Sequence, residues 1–202
     1  MEGGATRMDE DSRSPAAEDA ALLARYAAGD LAAARALTAR HLGRLLGFAR
    51  RMLGDAAEAE DVAQEAMLRL WQIAPHWRPG EARISTWLYR VTANLCTDRL
   101  RRRRGVALEA APEPADPAPG ALAALIATDR AAALEAALAL LPPRQRQAVM
   151  LRHLEGLGNA EIADVMDIGV AAVESLIARG RRALAARLAP RRSELGYDDD
   201  TG

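Results

Sequence analysis

Apolar residues recur at helical spacing along most of the chain, in two blocks separated by a proline-rich interval. In the first block, Glu18 to Leu53 reads as helix with one interruption at Gly29-Asp30. Leu31, Leu37, Leu42, Leu45, Leu46, Phe48 and Leu53 supply its stripe for burial. Gly54-Asp55 punctuates again, and a helix is predicted from about Ala56 to Ala74 with Val62, Ala66, Leu70 and Ile73 on one side. Pro75, Pro79 and Gly80 then break helical continuity. Ser85 is the predicted N-cap of a further helix, whose apolar positions Leu88, Val91 and Leu95 keep the helical period.

The second block opens with an alanine-rich helix near Asp129–Leu140. Leu141-Pro142-Pro143 ends it, and proline suits the start of the next helix, about Arg144–Leu154. After Glu155-Gly156-Leu157-Gly158, the segment NAEIADVM puts Ile162, Ala163 and Met166 on one face. Asp167-Ile168-Gly169 makes a turn, and a last helix resumes with Val173, Leu176, Ile177 and Leu184 inward. Two short helices around a three-residue turn containing glycine match a helix-turn-helix. In that motif the second helix lies in the major groove. The outward candidates for base edges are Ala171, Ala172, Glu174, Ser175, Ala178 and Arg179, with Arg181 and Arg182 towards the phosphates. Gly180 costs about 1 kcal/mol of helix stability relative to alanine, which a close helix approach would explain. A generic helical hairpin with a charged rim is the competing reading of this segment.

Between the blocks, GVALEAAPEPADPAPG holds four prolines and three acids with no basic residue, the composition of an extended, semi-rigid linker. At full extension such a stretch spans on the order of 50 Å. The expected fold is therefore all-α: two small helical domains joined by a flexible Pro/Ala-rich linker. The divisions are a disordered N-terminus 1–17, a first domain 18–104, a linker 105–128, a helix-turn-helix domain 129–189 and an acidic tail 190–202 containing Tyr197-Asp198-Asp199-Asp200.

Charge sharpens this division. The net charge is only −1, yet residues 18–104 carry fifteen arginines against ten carboxylates, while the linker and both termini are acidic. All basic side chains are arginine, which suits forked phosphate contacts and stacking. Four of the seven aromatic residues, Trp71, Trp77, Trp87 and Tyr89, fall within nineteen positions. Rings interleaved with Arg78, Arg83, Arg90 and Arg99 suit an unstacked nucleic-acid strand. The competing reading makes Trp87 and Leu88 core and the run ending at Arg104 a solvated helix end.

On the helix starting near Ala56, Glu58, Asp61 and Glu65 stand at i, i+3 and i+7, flanked by Gln64 and Leu68. This acidic row could dock a basic partner or be an ordinary solvated face. Nothing in its exposure would raise a carboxyl pKa for acid catalysis, so no catalytic residue is assigned. A lone cysteine, Cys96, allows no intramolecular disulfide and reads as a small packed residue, and three scattered histidines (His41, His76 and His153) build no zinc spacing. No metal or cofactor is expected, nor membrane insertion, since no apolar run is long enough to span a bilayer. The acidic, polar start of the chain is unlike a signal peptide, and the cytoplasm is the expected location.

Three blocks in order, DAAEAEDVAQEAMLRLW, ISTWLYRVTANLCTDRLRRRR and LPPRQRQAVMLRHLEGLGNAEIADVMDIGVAAVESLIARGRRAL, resemble bacterial RNA polymerase sigma factors of the extracytoplasmic-function (ECF) group. With the segments around them they cover about residues 18–189. The resemblance implies a non-enzymatic initiation role. Glu58, Asp61, Gln64, Glu65 and Leu68 would contact the clamp coiled coil of the polymerase's largest subunit. Trp77, Arg78, Arg83, Ser85, Thr86, Trp87, Tyr89, Arg90, Asn94 and Arg101 would recognise and open the minus-ten element of promoter DNA, capturing a flipped base. The linker would thread the RNA exit path, the last helix would read the minus-thirty-five element, and an anti-sigma factor would hold the chain inactive. One departure stands out: many relatives begin that helix with a glycine-threonine-valine-arginine-serine-arginine run, and two of the expected arginines are Glu174 and Leu176 here. The base code therefore does not transfer, although Glu174 could accept from a cytosine amino group. The alternative function is a free-standing helix-turn-helix regulator.

Overall fold

The computed structural model describes residues 14–78, 80, 82–107 and 122–191. The N-terminal segment to Arg13, the prolines of the linker and the acidic tail lie outside the described residues. The chain divides into two compact units, one built chiefly from residues up to Cys96 and the other chiefly from Thr97 onwards. Among the described residues the regular structure is helical throughout.

In the first unit, α1 (Pro15–Ala27), α2 (Leu31–Leu53), α3 (Ala56–Ile73) and the start of α4 (Ile84–Ala107), up to Cys96, follow one another, with a 3-10 turn at Ala74–His76 after α3. Helix α1 begins before the expected Glu18, because Ser14 caps it and Pro15 occupies the first helical position. The Ser14 Oγ accepts from the Ala17 N–H at 3.2 Å, and proline loses nothing where no intrahelical donor is needed. Two Gly-Asp pairs then do the same job twice. Gly29 and Gly54 take positive φ of 98° and 68°, a conformation open to glycine without a Cβ penalty. Asp30 and Asp55 follow as N-caps, Asp30 Oδ1 accepting from Ala32 N–H at 2.9 Å and Asp55 Oδ1 from Glu58 N–H at 2.9 Å. Each pair ends one helix and starts the next within two residues.

The core of this unit holds Leu23, Leu37, Leu45, Phe48, Met52, Leu70 and Leu88, each fully buried. Four expected core positions shift at helix ends and edges. Leu31 is 65% exposed, because it precedes the inward stripe that begins at Ala33, and Ile73 is exposed where α3 runs out. Leu42 and Leu46 are half-buried, flanking the stripe rather than lying on it. A polar cluster invisible in the sequence ties α1 to α2. The buried His41 Nε2 lies 2.8 Å from Asp19 Oδ2, and Arg40 reaches Asp19 Oδ1 at 3.1 Å and Glu18 Oε2 at 2.8 Å. Buried polar groups stay buried only when paired, so this cluster fixes α1 on α2.

In the second unit, α5 (Leu122–Ala139), α6 (Pro143–His153), α7 (Asn159–Met166) and α8 (Val170–Leu188) precede a 3-10 turn at Ala189–Arg191. Helix α5 starts earlier than the expected Asp129, since its alanine-rich sequence has high intrinsic helix propensity without needing an amphipathic pattern. Its C-terminal carbonyls are served from outside: the Arg146 guanidinium donates to the Ala139 and Leu141 carbonyls, and burial lowers its pKa from the usual arginine value. Leu138, Leu141, Met150, Leu151, Ile162 and Val173 form the core, with α6 and α5 both packed on α8.

A candidate nucleic-acid interface and a partner row

Helix α4 begins at Ile84, one residue before Ser85. The Trp87 N–H donates to the Arg83 carbonyl at 3.0 Å, so Arg83 is the half-in residue and the Ser85 N-cap assignment is corrected. Ile84, Leu88, Tyr89, Thr92, Ala93 and Cys96 are buried, with the Thr92 hydroxyl donating to the Leu88 carbonyl at 2.8 Å. Trp87, Arg90, Asn94 and Arg101 stand at i, i+3, i+7 and i+14, which places them on one side of the helix. Arg90, Asn94 and Arg101 are exposed and Trp87 is half-buried.

Two of the expected strand-contacting residues are not on that side. Tyr89 is 2% exposed and packs edge-on against Phe48 at 5.7 Å between centroids, and Thr86 is also buried. Both lie on the core side of α4, three residues apart, where they pack inward rather than face solvent. Val91 and Leu95 are only half-buried; the inward period begins at Ile84 and Leu88 instead. The aromatic cluster resolves into three pairs with different fates. Tyr89 joins Phe48 in the core, Trp71 pairs with Tyr26 at 4.7 Å, and Trp77 meets Trp87 edge-on at 5.9 Å and 88°. Only the last pair brings the interruption after α3 and the outward side of α4 together.

Beside that pair, a cavity of about 450 Å³ is lined by Ser14, Ala17, Ala20, Trp77, Arg83 and Ile84, among others. The α1 residues here were not foreseen, because their small side chains give no chemical signal. They act as a wall, and the Asp19–His41–Arg40 cluster holds the helix that carries them. Arg78 is exposed on the loop and Arg83 at its end.

On α3 the acidic row faces solvent. Asp61, Gln64 and Leu68 are exposed, with Leu68 at 53%, while Glu58 and Glu65 are half-buried. Glu65 Oε1 accepts from Arg69 Nε at 2.8 Å, so part of the row's charge is balanced within α3. Leu68 is thus an exposed large apolar side chain set beside carboxylates.

In the second unit all eight expected outward residues of α8 (Ala171, Ala172, Glu174, Ser175, Ala178, Arg179, Arg181 and Arg182) are exposed. Val173 and Ile177 are buried as expected, and Leu176 and Leu184 are half-buried. The turn between α7 and α8 works differently from the expectation. Asp167 takes the left-handed conformation, with φ of 51°, whereas Gly169 has φ of −69° and open space around it. Asp tolerates that conformation better than most residues, so the tight turn rests on Asp167 rather than on the glycine. Gly180 is needed sterically: a Cβ there would stand 2.5 Å from Val149 Cγ2 and 3.4 Å from the Gln145 carbonyl oxygen. Helices α6 and α8 can approach this closely only across a glycine.

A helical unit with an aromatic-basic surface, followed by a helix-turn-helix, defines a sigma-type initiation factor. Residues 37–106 match the model for sigma-70 region 2 and residues 131–184 that for sigma-70 region 4. The ECF RNA polymerase sigma factor SigE of Mycolicibacterium smegmatis is 36% identical over 92% of this chain and 74% of its own length. The structure of CnrH in complex with the cytosolic domain of CnrY matches with a TM-score of 0.63 at 28% identity, covering 86% of this chain and 98% of that one. The sigma factor RpoE from Bartonella quintana, solved with the anti-sigma factor NepR, shares the fold with a TM-score of 0.64 at 20% identity, covering 77% and 96%. The chain belongs to the ECF RNA polymerase sigma factors.

Proposed function

We propose that the chain is a dissociable initiation subunit working in the cytoplasm, supplying promoter recognition and strand separation while core RNA polymerase performs the chemistry. The observation that carries this is the shared placement of the Trp77–Trp87 pair, its cavity and the Arg90 and Asn94 side of α4 within one unit. Aromatic rings give base faces a platform, and guanidinium groups neutralise the phosphates beside them. A base leaving the minus-ten duplex would enter the cavity beside Trp77, which offsets part of the few kcal/mol that unstacking costs. Arg83 lines the cavity, and Arg78 and Ser85 would serve the strand beside it. Thr86 and Tyr89 serve this site only by seating α4 on the core.

The exposed α3 row with Asp61, Gln64 and Leu68, together with Glu58 and Glu65, would dock the clamp coiled coil of the polymerase's largest subunit. Helix α8 would read the minus-thirty-five element with residues 171–179 and hold phosphates with Arg181 and Arg182. An anti-sigma partner belongs to this reading, in line with the RpoE structure holding the anti-sigma factor NepR. A free-standing regulator is not favoured, because the two matched sigma regions occur in order on one chain. Among the described residues no helix is long and apolar enough to cross a membrane.

Reconstitution with core polymerase tests the reading. The full chain should direct a promoter-specific transcript and make minus-ten thymines reactive to permanganate. Asp61→Arg with Glu65→Arg should weaken core binding by at least about tenfold, since like charges brought together at an interface cost several kcal/mol. Unreactive thymines together with unchanged core affinity in the double variant would overturn it.

A further inference from the structure

The reading of α8 as the duplex-facing helix is the starting point here. The first two turns of α8, Val170–Ile177, hold one charged side chain, Glu174, and it is exposed. Its outward neighbours Ala171, Ala172 and Ala178 offer only methyl groups. Arg179 is turned back along its own helix, Nη2 donating to Ser175 Oγ at 2.7 Å and Nε to the Ser175 carbonyl at 3.3 Å. Arg181 and Arg182 lie about 17 Å further along the axis than Val170, at 1.5 Å per residue. The end of the helix that enters the groove thus leads with a carboxylate.

A carboxylate adds nothing to phosphate affinity, so its value there is discrimination. It only accepts hydrogen bonds. Guanine O6 and N7 and thymine O4 are acceptors in the major groove and repel it; adenine sets its own N7 acceptor beside its amino group; cytosine's own edge presents the amino group beside only a C5–H. A second residue fixes where the carboxylate sits. Asn159, the first residue of α7, has Nδ2 3.4 Å from Glu174 Oε1, a long contact that occupies one oxygen and leaves Oε2 for a ligand.

We propose that Glu174 selects a cytosine in the upstream duplex element and that Asn159 is the positioning residue for its carboxylate. The base preference of this factor is thereby set by a residue type opposite in charge to the arginine many relatives carry at that place.

The test is selection from duplexes randomised across the upstream element by holoenzyme assembled from the full chain and core polymerase. The wild type should enrich cytosine at one position by about tenfold, within the range of a good base contact. Glu174→Gln should move that preference to adenine, because a carboxamide can both accept from N6 and donate to N7. Asn159→Ala should flatten the preference partially, with the unfolding midpoint and the preferences at other positions unchanged. A base profile that Glu174→Gln leaves unaltered overturns the proposal while leaving α8 as the reading helix. A flat wild-type profile, with promoter affinity indifferent to Arg182→Ala, removes the underlying reading as well.

Discussion

The segment of the first unit that carries Trp77 and Trp87 and the helix-turn-helix of the second show opposite relations between residue type and placement. On α8 every residue expected to face outward does so, because the inward positions are aliphatic or glycine and the outward ones are small or charged. On α4 the same aromatic chemistry serves both sides: Tyr89 is core against Phe48, while Trp87 meets Trp77 at the cavity. Aromatic side chains bury large area and also make good base platforms, so their presence decides neither role. What decides is which face of α4 packs against α2, and that face carries Tyr89 onto Phe48.

The largest expected effects test that contrast. Tyr89→Ala should destabilise the first unit by roughly 3–5 kcal/mol, the usual cost of truncating a buried aromatic, seen as a lowered urea midpoint. Trp77→Ala should shift that midpoint far less but weaken strand opening by about 1–3 kcal/mol per lost stack, read as reduced permanganate reactivity. If Tyr89→Ala unfolds no more readily than wild type yet fails to melt promoters, the inward assignment of Tyr89 is wrong.

A smaller effect probes the second unit. Gly180→Ala gains about 1 kcal/mol of helix propensity but meets Val149 Cγ2 at 2.5 Å, and overpacking typically costs 1–3 kcal/mol. Valine is stiff about χ1 and cannot swing aside, so the clash should win and the net change should be a loss on the order of 1 kcal/mol. Adding Val149→Ala makes room; the double variant should then be more stable than the sum of the two single losses, a non-additivity that denaturation curves would show. Simple additivity would mean that α6 and α8 separate without cost.

The smallest effect is a pH dependence confined to the second unit. Burial, with the positive charges of Arg181 and Arg152, holds the His153 pKa below its ordinary 6.5. Above 6.5 both folded and unfolded chains carry neutral His153 and no stability depends on it. As pH falls through 6.5 the unfolded chain takes up the proton more readily, so stability is lost. Urea titrations above and below 6.5 should show this loss in the wild type and less of it in His153→Gln; an equal loss in both would assign the dependence to other groups.

Much of the molecule was legible in the chain itself. The Gly-Asp pairs, the Pro142-Pro143 break and the helical periods fixed the helix order, since capping and the lack of a proline donor are local effects. The outward residues of α8 and the exposed row on α3 followed from the same periods. Less legible were features that join distant parts. The Asp19–His41 contact spans 22 residues, and no local pattern announces it. The α1 wall of the cavity consists of alanines and a serine, whose meaning comes only from their neighbours.

Sequence alone therefore settled an all-helical chain of two units, the sigma-type order of its blocks and the displaced charge at Glu174, because these depend on residue type and spacing. Tertiary structure decided which ring each tryptophan meets, that Tyr89 and Thr86 belong to the core, and why α8 carries a glycine at its centre. Those outcomes depend on which surfaces meet, and burial is a property of the packed whole.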